Sequence, residues 1–136
     1  MSDAVIVSPD GEEKKMLIEI ANNIINQIGC LYGREAFYRK ALCAELVYNK
    51  YNACQEVSHP VYYKLCSGNQ ATSIGNIFID IMCDDFFLEL KNTKTITAKD
   101  RAQCKLYCRI LKKRGYLLNF SVEGTVVIEE FQWTQH

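Results

Sequence analysis

Apolar residues recur every three or four positions at Leu17, Ile20, Ala21, Ile24, Ile25 and Ile28, and Gly29 follows. Residues three and four apart share a helix face, so this spacing predicts a helix with one buried stripe. Its start is expected at Ser8-Pro9-Asp10, after a short stretch at 4–7. Proline suits a first turn, and Asp10 with Glu13 can form a capping box. A second helix is expected over about 34–51, with Phe37, Tyr38, Ala41, Leu42 and Leu46 inward. The pattern then shortens to strands at 54–57 and, beyond His59-Pro60, at 61–65. A polar loop is expected over 66–75, and a hairpin over 77–91.

Thr97 is an N-cap candidate with Asp100 three residues on, opening a third helix that reaches about Lys113. Lys99, Gln103, Leu106, Tyr107 and Ile110 fall along one of its faces, and Gly115 is expected to stop it. The run 116–120 is almost wholly apolar, which predicts a strand buried on both sides. Val122-Glu123-Gly124 turns the chain into a last strand at 125–131. A strand–helix–strand passage from Phe86 to Phe120 predicts a parallel pair with a right-handed crossover. The order implies an α/β chain of the α+β type, a mixed sheet flanked by helices. Its 136 residues suit a single domain, 1–136.

The hairpin carries the chemistry. If Asp84-Asp85 forms a two-residue turn, Cys83 faces Phe86, Met82 faces Phe87, and Asp80 lands opposite Glu89. Glu89 and Lys91 share one strand face while Phe86, Leu88 and Leu90 take the other. Cross-strand partners have Cβ atoms roughly 5 Å apart. Two ionised carboxylates there repel by about 3 kcal/mol at an effective dielectric of ~20. A divalent cation between them removes that cost, and paired carboxylates with water and substrate phosphate suit Mg²⁺. A lysine two residues on then sets a positive charge beside a metal-bound water, the layout of a metal-dependent phosphodiesterase. A solvated strand face carrying Glu and Lys is the bland alternative.

Composition narrows the classes. Seven cysteines form an odd set without a CxxC pair, and the N-terminus lacks a signal-peptide pattern. Reduced thiols in an intracellular setting, cytoplasmic or nuclear rather than secreted, are expected. No apolar run approaches a membrane span. Only His59 and His136 are present, so a Cys–His or Ser–His hydrolase has almost no base. Net charge is zero, but Lys91, Lys94, Lys99, Arg101, Lys105, Arg109, Lys112, Lys113 and Arg114 fall in a window whose one acid is Asp100. Nine positive charges against one negative suit a phosphate backbone, or else a solvated basic helix face.

Five blocks then match a known pattern: Glu35-x-x-Tyr38-x-x-Ala41-Leu42-x-x-Glu45-Leu46; Gln55-Glu56-Val57-x-x-Pro60-Val61-x-Tyr63-Lys64; Asp80 with Glu89-Leu90-Lys91; Ala102-Gln103-x-x-x-Tyr107; and Gly115-Tyr116-Leu117-Leu118-Asn119-Phe120. In this the chain resembles the GxxExxY proteins, a branch of the PD-(D/E)XK nuclease superfamily, over about 29–120. It departs from them at Tyr32, which stands at the defining glycine, and at Asp100, which replaces a histidine. Ile77-Phe78-Ile79 stands in place of Tyr-x-Ala, and the gap from Asp80 to Glu89 is one residue shorter.

The resemblance implies a restriction-endonuclease-like core with an extra N-terminal helix. It implies Mg²⁺ or Mn²⁺ held by Asp80, Glu89 and the carbonyl of Leu90. Lys91 would orient the attacking water, with Gln103 near the phosphate and Glu35 completing the site; Glu45 reads as a helix-surface acid. The implied activity is Mg²⁺-dependent hydrolysis of nucleic acid, DNA ahead of RNA. The basic side chains Lys94, Lys99, Arg101, Lys105, Arg109, Lys112, Lys113 and Arg114 would track its backbone. A nucleic-acid-binding or protein-interaction module that keeps the fold without useful catalysis is the alternative. The sequence leaves a homodimer open and implies no membrane partner.

Overall fold

The computed structural model describes residues 11–30 and 32–134. Helix α1 (Glu12–Ile28) begins behind Gly11 without a side-chain cap. The stretch at 4–7 and the proposed cap at Asp10 lie outside the described residues. Leu17, Ile20, Ala21 and Ile24 are buried as the stripe requires. Helix α2 (Glu35–Tyr48) buries Tyr38, Leu42, Cys43 and Leu46. Phe37 points outward instead, 53% exposed.

Strand β1 (Cys54–Lys64) is continuous through His59-Pro60 and pairs antiparallel with β2 (Ala71–Met82). The expected break at His59-Pro60 is absent, and the expected polar loop shrinks to 65–70, the connection of one long hairpin. Proline is tolerated because β1 is an edge strand. Thr72 and Ser73, expected in the loop, pair with Tyr63 and Tyr62. Strand β3 (Phe86–Lys91) follows a tight turn, and Ile81 and Met82 face Leu88 and Phe87, the register expected from an Asp84-Asp85 turn.

Helix α3 (Ala98–Leu111) opens on a complete capping box, with Thr97 accepting from the Asp100 N–H and Asp100 accepting from the Thr97 N–H. It packs through Cys104 and Cys108, whereas Leu106 lies outside. Lys112 ends it in a left-handed conformation. Gly115, expected as the stop, instead sits in β4 (Arg114–Phe120), where a Cβ would come within 2.3 Å of the Phe87 ring. β4 runs parallel to β3, and β5 (Val126–Phe131) closes the sheet antiparallel to β4.

The five strands lie in chain order, so one mixed sheet is flanked by helices, a restriction-endonuclease-like α+β arrangement. Its two faces have separate cores. One joins α1 and α2 to Leu88, Leu90, Tyr116 and Phe120. The other joins α3 to Phe87 and Leu117. Among the described residues no helix is long and apolar enough to cross a membrane.

Candidate active site

β2 and β3 part just where the acids stand. Their paired residues end at Ile81 and Leu88, and beyond that point side chains replace the backbone ladder. The Asp80 N–H donates to Glu89 Oε2 at 3.0 Å, and the Leu90 N–H donates to Asp80 Oδ2 at 2.8 Å. Each acid is therefore fixed by one oxygen to the other's strand. The second oxygen of each reaches solvent, because no fully buried side-chain oxygen among the described residues lacks a partner.

The β1–β2 pairing also skips the Glu56/Asp80 position, and Glu56 has φ 51°. A non-glycine residue in the left-handed region costs of order 1 kcal/mol or more, and such strain gathers at functional sites.

Electrostatics follow burial. Glu89 is 6% exposed, and burial, with the Asp80 charge second, pushes its carboxyl up to about 8. Burial also raises Asp80, partly countered by the Leu90 N–H. Glu35 is raised by burial and then by the Asp80 charge. The start of α2 is tied to the end of β3 by the Arg34 N–H on Asn92 Oδ1 at 3.2 Å, and this delivers Glu35 to the site.

Lys91 Nζ lies 3.6 Å from Asp100 Oδ1. Burial pushes Asp100 up, but the Thr97 hydrogen bonds and the Lys91 ammonium outweigh it and hold the carboxyl low. Gln103 is half-buried one turn along α3.

Three residues not singled out for the site belong to this field. Arg39, one turn beyond Glu35, favours the ionised forms of Glu35 and Asp80. It is itself held by Gln55 and Glu56. The Tyr107 hydroxyl is raised by burial, then by Glu89 and Asp80. Asp100 grips the lysine. The i, i+4 spacing of Glu35 and Arg39 was the available signal for the first; for Asp100 it was the place it takes from the histidine of the resembling family.

The basic segment divides. Lys94, Lys99, Lys105, Arg109 and Lys112 are exposed. Arg101 is engaged by both oxygens of Glu129, and Lys113 donates to the Cys83 carbonyl at 2.9 Å. Arg114 departs from the expected backbone-tracking role. It is 4% exposed and bonds Glu13, with Nη2 2.6 Å from Oε2, while the Tyr116 hydroxyl donates to the same carboxylate at 2.7 Å. A buried carboxylate needs such partners, and they leave Arg114 no face for a phosphate.

Among the described residues no group of three or more His, Cys, Asp and Glu side chains is arranged to hold a metal. A cation here would take two carboxylates, with main-chain, water and substrate oxygens for the rest, which is how Mg²⁺ is commonly bound. The raised carboxyl of Glu89 fits such a site, since a buried acid pair resists a second negative charge until a cation arrives.

A family model described as the PD-(D/E)XK nuclease superfamily matches residues 11–131. Among solved structures, the crystal structure of SSO0001 is similar, with TM-score 0.56 and 18% identity. The match covers 92% of this chain and 60% of that chain, and at this identity it shows the fold alone. No curated protein matches.

Proposed function

This chain belongs to the PD-(D/E)XK nuclease superfamily, and from that premise we propose that it hydrolyses phosphodiester bonds of nucleic acid, DNA first, with Mg²⁺ or Mn²⁺ at Asp80 and Glu89. The reading is carried by the reciprocal bonding of the two acids, which fixes one oxygen of each and leaves the other to solvent. The motif blocks favour the GxxExxY branch within the superfamily.

Asp80, Glu89 and the Leu90 carbonyl would hold the ion. Bound there, it supplies a lowered pKa for coordinated water and neutralises phosphate oxygens. The residues do the rest. Glu89, pushed up to about 8, gives up its proton more readily when a cation compensates the charge, so the site is primed by cation binding. The Lys91 ammonium, steadied by Asp100, offers a fixed positive charge to the phosphate as its negative charge grows. Glu35 holds water at the rim and can accept its proton, its carboxyl being raised by burial and then by Asp80. Gln103 donates to a phosphate oxygen. The seven free thiols fit an intracellular setting, cytoplasmic or nuclear.

One observation favours the second reading, a nucleic-acid-binding module without catalysis: the Lys91 ammonium already has an acidic partner in Asp100. Calorimetric titration of Mg²⁺ or Mn²⁺ into the wild type and Asp80→Asn tests the proposal. Saturable binding to the wild type, lost in the variant, supports the acid pair as the cation site. Equal binding in both removes it.

A further inference from the structure

α3 carries two chemistries on opposite sides. Tyr107 packs against Phe87 of β3, the strand that carries Glu89, while Lys105 and Arg109 stand two residues to either side of it, roughly 160° around the axis. Lys105 and Arg109 fall at i and i+4 on one face of α3, and Lys112 follows at the left-handed C-cap. Together with Cys108, Gln132 and Trp133 they line a cavity of about 620 Å³.

All three cations are exposed. Among the described residues the ion pairs of this segment use Lys91, Arg101 and Arg114, and none uses these three. Among the described residues no acid lines the cavity. The negative end of the α3 dipole, worth about half a charge, offsets only part of this excess. An anion is the complement.

Trp133 adds the second half of the ligand. Half-buried, it packs against the α3-side core and lines the cavity. A fixed aromatic surface beside lysine and arginine is what a nucleobase and its phosphate require together. The volume lies within the roughly 300–1,000 Å³ of small-molecule sites.

We propose that this cavity is a nucleotide-binding subsite separate from the acid pair. Lys105, Arg109 and Lys112 take the phosphate oxygens, and Trp133 takes the base. Choosing a nucleotide over other phosphorylated aromatics rests on the nuclease reading. The ligand can be a free nucleotide or one unit of a strand.

Trp133 is the sole tryptophan, so its fluorescence reports on the cavity itself. Asp80→Asn protein, chosen to leave probes uncut, is titrated with a short oligothymidylate and, separately, with thymidine monophosphate, each with inorganic phosphate as competitor. Saturable quenching is expected, weakened by salt and by phosphate, and at least about tenfold weaker in affinity after Arg109→Glu with Lys112→Glu. Much tighter binding of the strand assigns the subsite to nucleic acid, and equal binding assigns it to free nucleotide. Should that variant misfold, Lys105→Ala with Arg109→Ala replaces it. No quenching by either probe, or quenching unchanged by the charge substitutions, overturns the proposal. Quenching by a protein whose wild type cleaves nothing would sink the nuclease reading and leave this subsite standing.

Discussion

Asp80 and Glu89 hold each other's strands apart and in place: the Asp80 N–H bonds Glu89 Oε2, while Asp80 Oδ2 receives the Leu90 N–H. Both carboxylates are thereby oriented at the cost of burial, and the burial raises both.

This cost predicts a pH-dependent gain on neutralising Glu89. The folded carboxyl sits at about 8 against an ordinary 4.5, so between those values the folded state holds a proton that the unfolded state has lost. Stability then falls as pH rises through that window. Glu89→Gln keeps an oxygen for the Asp80 N–H and carries no charge. Without divalent metal it should match the wild type near pH 4.5 and exceed it by about 1–3 kcal/mol near pH 8. Urea unfolding at the two pH values checks this; an equal difference at both would contradict it.

Metal should reverse the wild-type loss. Binding to the folded state alone stabilises by mass action, about 2.7 kcal/mol at a hundredfold excess over Kd. The melting temperature should rise with Mg²⁺ or Mn²⁺ in the wild type and stay flat in Asp80→Asn. A rise of the same size in both would place the ion elsewhere.

Glu13→Gln should destabilise the chain by about 3–5 kcal/mol, because it removes the opposite charge from the buried guanidinium of Arg114. Denaturant midpoints measure this. A loss below about 1 kcal/mol would mean the pair is not closed in solution.

Gly115→Ala should cost about 1–3 kcal/mol, since the new methyl meets the fully buried Phe87 ring. Restoration by Phe87→Leu in the same chain would identify the clash. Without restoration, the cost lies in the β4 backbone.

The acid pair was legible because it sits in one local hairpin, where alternation and a tight turn fix the register. The capping box of Thr97 and Asp100 was legible for the same reason. The β1–β2 arm was legible only in part. The sequence marks strands at 54–57, 61–65 and from 77, but not their continuity through His59-Pro60 or the start of β2 at Ala71, because the arm is largely exposed and gives no alternating apolar signal. The packing face of α3 was legible in part: Tyr107 packs on the α3-side core, but Leu106 lies outside, and the fully buried contacts are Cys104 and Cys108, small residues that a hydrophobic pattern underweights. Arg114 lay in a basic run, and its partner Glu13 is 101 residues away. Only the fold brings them together.

Lys91→Ala should leave strand binding nearly intact and lower turnover about 10²–10³-fold, because its charge acts on the transition state. Matched losses in affinity and turnover would make it a binding residue.

Cleavage of labelled single-stranded, duplex and branched DNA by the wild type and Asp80→Asn, each with Mg²⁺ and with chelator, tests the nuclease site most directly. Cleavage by the wild type with Mg²⁺ alone, absent from the variant, is the predicted result. Equal cleavage by Asp80→Asn, or none by a wild type shown to bind the ion, would contradict it.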